Sequence, residues 1–246
     1  MNSFFVDKIK ANGDFVILED PGQLHHLKDV LRLKPREKVE IFDNSGNGYI
    51  AEIAATGPRE ARFKIIERRF LDDQGIKLTV ACAIPKNVKM DDIVDKLAQL
   101  GTFCVIPVET ERVVVRLDKR KKLERLQRWR RIALSAAKQS HGCRLMQVEA
   151  VTDFKDFLIG LGDFDLKLIP TLEGKRKSLK EAFAFTGKKS AKIIVLIGPE
   201  GDFSPKELSM AKGAGFLPVS LGEQVLRVDT AAIAVAGFIR FSEPRS

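Results

Sequence analysis

The feature that most constrains the fold is an alternation, from Lys77 onward, between short runs of β-branched residues and longer stretches with helical periodicity. The run Ile193–Ile197 contains no polar residue, which is typical of a strand buried on both faces of a parallel sheet. Strands that alternate with helices predict an α/β domain with a mostly parallel sheet. The other strands predicted in this region are Lys77–Ala83, Phe103–Val108, Asp165–Ile169 and Phe216–Leu221.

Helical periodicity fills the stretches between these strands. The apolar residues of Met90–Ala98 repeat at three and four positions, as on the buried face of a helix, and a glycine soon follows them. Serine followed three residues later by glutamate is the capping-box pattern that opens a helix. The helices and helix starts predicted from these signals are Asn87–Gly101, Lys121–Ser140, Ser178 with Glu181, Ser204 with Glu207, and Thr230–Phe241.

The first 70 residues follow a different pattern, in which short strands surround one helix. Polar and apolar residues alternate in Tyr49–Ile53, as in a strand with one buried face. Leu24, Leu27 and Leu31 recur at helical spacing, so Gln23–Leu33 is predicted as a helix that covers the strands. Many short strands at close spacing predict a small barrel. The remaining predicted elements are strands at Phe4–Val6, Phe15–Leu18, Val39–Phe42 and Arg62–Ile66, and a hairpin loop at Asp43–Gly48.

The polar, turn-forming segment Leu71–Gly75 separates these two patterns. A change of pattern across such a segment indicates a domain boundary. The sequence therefore predicts a small domain at residues 1–72 and a larger domain at residues 73–246.

The formal net charge of +9 favours contact with polyanions, although a surplus of lysine can also serve solubility alone. The positive residues cluster in Arg32–Lys38 and in Arg116–Arg131, and this clustering strengthens the first interpretation. Contact with nucleic acid is therefore the favoured expectation.

Several classes of protein are disfavoured. The longest apolar runs are too short to span a bilayer, and the first ten residues lack the apolar core of a secretion signal, so we expect a cytoplasmic protein outside the membrane. Cys82, Cys104 and Cys143 form no CxxC pair, so we expect reduced thiols and no metal site. None of the three histidines lies in a hydrolase motif.

Three predicted loops follow the carboxyl ends of strands, the edge at which open α/β sheets bind ligands. They are Pro170–Gly174, Gly198–Asp202 and Gly222–Thr230. Glycines in the second loop allow close backbone approach to a ligand, although spacing alone favours a plain strand-to-helix turn. That loop has neither the GxGxxG pattern nor a P-loop sequence, so a dinucleotide or nucleoside triphosphate site has little support.

The third loop places Arg227 and Asp229 on either side of a valine, immediately before a predicted helix. Asp229 or Thr230 stands where a helix N-cap is expected, and Arg227 could pair with a nearby carboxylate. A catalytic role for Arg227 and Asp229 is equally compatible with the sequence.

Several motifs resemble those of the bacterial 16S ribosomal RNA uridine-N3 methyltransferases. Leu196–Ser204 resembles the LIGPEGGFS signature of that family, and Val219–Ala232 resembles its VSLGxxILRxETAA element. His25–Arg32 fits its N-terminal PUA-like domain, and Arg128–Ser140 fits its RW…AAxQS helix. The matches run in order along nearly the whole chain, which is much more specific than any single motif.

The resemblance implies the SPOUT fold, an α/β domain with a mostly parallel sheet whose C-terminal segment threads a loop to form a trefoil knot. A small PUA-like β-barrel domain precedes it. The implied cofactor is S-adenosylmethionine, and the implied reaction is methylation of uridine N3 in 16S rRNA. The residues implied for the cofactor site are Thr171, Leu172, Gly198, Glu200, Gly201, Leu221, Gly222 and Leu226.

The implied partners are 16S rRNA or the small ribosomal subunit and, in a homodimer, a second copy of the chain. The charge clusters and the resemblance together suggest which residues contact the RNA. They are Arg32, Lys34, Arg36, Arg128, Arg131 and Gln139.

Methylation of uridine N3 requires removal of a proton, because N3 is protonated at neutral pH and is then a poor nucleophile. We expect Arg227 to stabilise the developing uridine anion or to hold the adjacent phosphate. Asp229 or Glu200 is the expected proton acceptor. The target base must also leave its stack to reach the pocket.

The chain departs from the family pattern at three places. Asp202 replaces a usual glycine, Val228–Asp229 replaces Thr-Glu, and His141–Arg144 replaces a Gly-Arg step. Two alternatives therefore stay open. One is a SPOUT methyltransferase for another RNA nucleotide or atom, and the other is a non-catalytic RNA-binding or ribosome-assembly protein.

Overall fold

The computed structural model describes residues 1–6, 14–42, 47–70, 75–85, 89–112, 117–140, 145–184 and 191–242. The chain forms two compact units. One comprises Met1–Asp73 and Ala137–Leu145, and the other comprises Gln74–Ala136 and Met146–Ser246. The predicted features that lie outside the described residues are the loop at 43–46, the boundary segment at 71–74, the helix start at Asn87, Arg116, and the departure at His141–Arg144.

The first unit is built on a five-stranded sheet that curls into a half-barrel. The strand order is β1-β3-β4-β5-β2, with β1 parallel to β3 and the other neighbours antiparallel. Register shifts in the fourth strand, next to Ala51 and Ile53, increase the local twist and bend of the sheet. The strands are β1 (Asn2–Phe5), β2 (Phe15–Leu18), β3 (Lys38–Phe42), β4 (Asn47–Thr56) and β5 (Ala61–Phe70).

The helix of this unit begins earlier and ends sooner than predicted. It covers Pro21–His25 (α1) and continues as a π-helical turn at His26–Val30, whereas the sequence predicted one helix over Gln23–Leu33. The prediction missed the start because Asp20 caps the helix, accepting a hydrogen bond of 2.7 Å from the amide three residues on. The helix cannot continue through Arg32, whose backbone adopts a φ of 52°.

Leu24 and Leu27 of this helical segment lie in the core of the first unit, among buried strand residues such as Phe4 and Phe63. Leu31 is partly buried and packs against the same core. The predicted packing of the helix on the strands is therefore confirmed.

The second unit contains an eight-stranded sheet in which all described pairings are parallel. The order is β11-β13-β10-β12-β6-β7-β8, and β9 pairs with β7. The predicted parallel α/β sheet is confirmed, and Ile193–Ile197 is buried at its centre as expected. The strands are β6 (Lys77–Ala83), β7 (Cys104–Glu109), β8 (Gln147–Val148), β9 (Thr152–Asp153), β10 (Leu166–Pro170), β11 (Lys177–Ser178), β12 (Lys192–Ile197) and β13 (Leu217–Ser220).

Six helices follow the strands of the second unit along the described part of the chain. The C-terminal helix packs against the helix that starts at Lys89 and against β6 and β12. The helix at Phe154–Ile159 and the helix that Ser204 caps share a hydrophobic core with β6 and β12. Both predicted capping boxes, at Ser178 and at Ser204, are present. The helices are α2 (Lys89–Gln99), α3 (Lys119–Gln139), α4 (Phe154–Ile159), α5 (Leu179–Ala184), α6 (Pro205–Gly213) and α7 (Val228–Phe241).

The strand order constrains the path of the C-terminal segment. The chain leaves β13, which lies on the far side of β10 from β12, and then returns so that α7 packs against β6 and β12. The threading of this segment as a trefoil knot stays a prediction. Across the described residues, no helix has both the length and the apolar character that a membrane crossing requires.

Candidate functional site

The three loops predicted to bind a ligand meet in one pocket. They follow β10, β12 and β13, which are neighbours in a parallel sheet, so the carboxyl ends of these strands share one edge. Of the residues implied for the cofactor site, all except Gly201 line this pocket. They are Thr171, Leu172, Gly198, Glu200, Leu221, Gly222 and Leu226.

Two glycines of the pocket are required by local structure. A Cβ atom on Gly198 would lie 2.9 Å from the ring of Phe203, a buried residue, so a larger residue would force that ring to move. Gly222 has a φ of 121°, a conformation that residues with side chains rarely adopt. The first glycine therefore serves packing and the second serves the turn of the third loop.

The side chains around the pocket combine exposed apolar groups with carboxylates. Leu172 and Val225 are 52% and 69% exposed, although both are large apolar residues. Glu200 and Asp202 line the same pocket. This combination suits a ligand that carries both an apolar part and a positive charge.

Three residues that were not predicted as site residues line the pocket or bond to its loops. Asp202 lines it and accepts hydrogen bonds from the loop after β10. Arg176 also lines it and donates a hydrogen bond of 2.9 Å to the carbonyl of Thr171. Arg112 donates to the carbonyl of Gly201. The departure of Asp202 from the family glycine was a usable signal, whereas the two arginines lie outside any motif.

The structure corrects the predicted start of the last helix. The N-cap residue of α7 is Arg227, with no hydrogen bond from its side chain to the helix, so the expected cap at Asp229 or Thr230 is wrong. The helix starts at Val228, and Asp229 therefore lies in its first turn. The helix dipole stabilises a negatively charged carboxylate at this end of a helix. Arg227 is exposed, and it adjoins Val228, which lines the pocket.

Asp229 has an unusual environment for a carboxylate. Its oxygen Oδ1 is buried and has no hydrogen-bond partner among the described residues. Burial raises the pKa of the neighbouring Cys82 thiol to about 12, and the negative charges of Glu200 and Asp229 contribute to that rise. Glu200 and Asp229, the two candidate proton acceptors, therefore both lie near the buried thiol of Cys82 at the carboxyl end of β6.

The basic residues of α3 differ in how they are bonded. Arg128 forms an ion pair of 2.5 Å with Asp91, and the same carboxylate accepts a hydrogen bond of 3.0 Å from the indole of buried Trp129. Arg131 is exposed and contacts the carbonyl of Gln127 in its own helix at 3.4 Å. Arg128 therefore has a structural partner, whereas the guanidinium of Arg131 retains donors that face solvent.

Gln139, the last of the residues implied for RNA binding on this helix, is exposed. In the first unit, Arg32, Lys34 and Arg36 are exposed in one short segment. Arg32 and Arg36 have φ values of 52° and 75°. Left-handed backbone is uncommon for arginine, and such strain is often found at functional sites.

Comparison with known proteins agrees with this architecture. A family model described as an RNA methyltransferase domain matches residues 72–240, and one described as an RNA methyltransferase PUA domain matches residues 18–66. The ribosomal RNA small subunit methyltransferase E of Synechocystis sp. is 30% identical over 212 residues, which cover 85% of this chain and 68% of that protein.

Two further relatives extend the comparison. The protein of the same name from Bacillus subtilis is 26% identical, with coverage of 89% of this chain and 87% of that one. The crystal structure of a ribosomal RNA small subunit methyltransferase E from Neisseria gonorrhoeae, bound to S-adenosylmethionine, superposes with a TM-score of 0.82 at 26% identity, covering 98% of this chain and 97% of that one. The chain therefore belongs to the ribosomal RNA small subunit methyltransferase E family of RNA methyltransferases.

Proposed function

We propose that this protein transfers the methyl group of S-adenosylmethionine to N3 of a uridine in the 16S rRNA of the small ribosomal subunit. The observation that carries the proposal is the convergence of three loops, from β10, β12 and β13, on one pocket. Membership of the family and the cofactor bound by the Neisseria gonorrhoeae relative support the same assignment.

The residues of the pocket fit S-adenosylmethionine in chemical character. The exposed apolar side chains of Leu172 and Val225 can cover an adenine ring, and backbone groups of the glycine-containing loops can bond to its edge. Glu200, which is exposed in the pocket, supplies negative charge for a cofactor that carries a sulfonium and an ammonium group.

In the proposed reaction, N3 of uridine gives up its proton and forms a bond to the methyl carbon, while the bond between that carbon and sulfur breaks. The bound cofactor supplies a methyl group that its positive sulfur has already activated. We assign proton acceptance to Asp229, because its buried oxygen Oδ1 has no partner among the described residues, with Glu200 as the second candidate.

Arg227 is proposed to stabilise the negative charge that develops on the uracil ring, or to hold the adjacent phosphate. It is exposed next to the pocket residue Val228, and its side chain caps no helix. Five residues are proposed to contact RNA because all of them are exposed: Arg32, Lys34, Arg36, Arg131 and Gln139. Arg128 joins them because its side chain stays 59% exposed beside Asp91.

The proposal includes a homodimer and a cytoplasmic location. Both rest on the family resemblance, and the second also on the place where ribosomal subunits are assembled. Light scattering after size-exclusion chromatography measures the mass of the protein in solution. The mass of a single chain at working concentration would contradict the homodimer.

The proposed activity can be tested with the purified protein, isotope-labelled S-adenosylmethionine, and either free 16S rRNA or assembled small subunits. Mass spectrometry of the digested RNA is expected to show label in N3-methyluridine. Label in another nucleoside would favour a methyltransferase with a different target. No calorimetric binding of the cofactor, together with no transfer to either RNA, would favour a non-catalytic RNA-binding protein.

A further inference from the structure

Asp202 joins two of the three loops that form the pocket. Its oxygen Oδ2 accepts hydrogen bonds from the hydroxyl of Thr171 (3.0 Å) and the amide of Leu172 (2.9 Å), in the loop after β10. Its oxygen Oδ1 accepts a bond of 2.8 Å from the amide of Phe203, which follows it in the loop after β12. Oδ2 therefore bridges the two loops, while Oδ1 is held by the backbone of its own loop.

The backbone at Asp202 is left-handed, with a φ of 60°. Its amide donates a hydrogen bond of 3.0 Å to the carbonyl of Pro199 and so closes the turn. Glycine adopts this conformation without steric cost, and aspartate is among the few other residues that tolerate it. Glycine, the residue expected here from the resemblance, would keep the turn and lose the bridge.

Thr171, the residue that the bridge reaches, is itself a junction. It is buried, its amide donates to the carbonyl of Val219 in β13 (3.2 Å), and its carbonyl accepts the bond from Arg176. Movement of Thr171 would therefore displace the pocket wall at several points. In contrast, the hydroxyl of Ser178 bonds to Glu181, three residues away, at the start of α5 and outside the pocket.

We propose that Asp202 is a positioning residue of the pocket, whose carboxylate fixes the loop at Thr171 and Leu172 before the cofactor binds. This inference rests on the proposed function, because it concerns the affinity for S-adenosylmethionine. A loop that is ordered in advance loses less conformational entropy on binding. The bridge should therefore tighten cofactor binding and leave the rate of methyl transfer at saturation nearly unchanged.

The test is calorimetric titration of the full-length protein and its variants with S-adenosylmethionine, together with steady-state kinetics. Asp202→Gly keeps the turn and removes the bridge, and we expect the Kd and the KM for the cofactor to rise about tenfold, with kcat within about twofold. Asp202→Asn can keep one oxygen for both bonds to the other loop and tolerates the backbone, but its NH2 group cannot accept the bond from the amide of Phe203. Because the bridge remains, it should bind within about threefold of the unaltered protein.

Two controls separate the bridge from general loss of structure. Ser178→Ala removes the local hydroxyl bonds at the start of α5, outside the pocket, and its affinity should stay within about twofold. Hydrogen exchange needs no ligand: the amide of Leu172 should exchange slowly in the unaltered protein and in Asp202→Asn, and about tenfold faster in Asp202→Gly.

The results of these titrations distinguish a wrong role for Asp202 from a wrong proposed function. Equal affinity of Asp202→Gly and the unaltered protein would overturn this inference and leave the proposed function intact. An equally large loss in Asp202→Asn would also overturn it, because negative charge and not the bridge would then set the affinity. If the unaltered protein binds no S-adenosylmethionine, the proposed function fails first, and with it any effect of Asp202 on cofactor affinity.

Discussion

The pocket of the second unit and helix α3 differ in which of their polar groups are bonded to other protein groups. In the pocket, loop residues bond to one another, while Glu200 is exposed and Oδ1 of Asp229 has no partner among the described residues. On α3, Arg128 pairs with Asp91, and Arg130 donates two hydrogen bonds of 3.2 Å to one carbonyl of β8.

This difference shows that charge density along the sequence and availability for a ligand are separate properties. The many basic residues of α3 predict contact with RNA, yet Arg128 and Arg130 are bonded to protein groups and stabilise the fold. The pocket loops carry a single positive residue, Arg227, yet the parallel sheet places their unbonded groups at one edge. Substitutions in the two regions should therefore change different quantities.

The largest effect is expected for Arg227→Ala, which should lower kcat about a thousandfold because the developing charge loses its stabilising cation. The affinity for S-adenosylmethionine should stay within about threefold, since Arg227 does not line the pocket. Methyl transfer and calorimetry on the same preparation measure both quantities. Equal turnover by the variant would remove Arg227 from the mechanism.

Asp229→Asn comes next, with an expected loss in kcat of about a hundredfold, because the amide cannot accept the N3 proton. The isosteric change keeps the size of a partly buried side chain in the first turn of α7. Glu200→Gln is the matched comparison at the other carboxylate. A larger loss in Glu200→Gln than in Asp229→Asn would transfer the role of proton acceptor to Glu200.

On the helical side of the comparison, Asp91→Ala should lower the free energy of unfolding by about 2 kcal/mol, because it leaves the buried indole N–H of Trp129 unpaired. Trp129 is the single tryptophan, so its fluorescence during urea denaturation follows the transition. The exposed neighbour provides a control, and Asp92→Ala should change stability by no more than about 0.5 kcal/mol. Similar losses in both variants would argue against the structural role of Asp91.

The smallest effect is expected for Arg131→Ala, which should weaken RNA binding about fivefold and reduce the salt dependence of binding by about one phosphate contact. Arg130→Ala is the matched control on the same helix, because its side chain is bonded to the carbonyl of Val148. It should cost about 1 kcal/mol of stability with little loss of RNA affinity. Fluorescence anisotropy with an RNA fragment at several salt concentrations measures the RNA affinity of both variants. An equal loss of affinity in Arg130→Ala would contradict the distinction.

The sequence predicted the second sheet well because burial on both faces leaves an unbroken apolar run, as in Ile193–Ile197. It also located the pocket, since the loops after parallel strands must share an edge. The start of α1 was missed although Asp20 carried a capping signal, and the cap of α7 was misassigned because Asp229, Thr230 and Arg227 lie within one turn.

Other features depend on contacts that local patterns do not encode. The pairing of Arg128 and Trp129 with Asp91 joins two helices. The buried oxygen of Asp229 belongs to a helix, α7, that packs on strands far from it in the sequence. A knotted path was expected from family resemblance alone, because chain topology rarely permits it. The bridge from Asp202 requires knowing which two loops are neighbours.

The most direct test of the proposed activity is mass spectrometry of nucleosides from the 16S rRNA of a strain that lacks this gene. We predict that N3-methyluridine disappears from that RNA, returns when the unaltered protein is supplied, and does not return with Arg227→Ala. An unchanged amount of N3-methyluridine in the deletion strain would contradict the central claim.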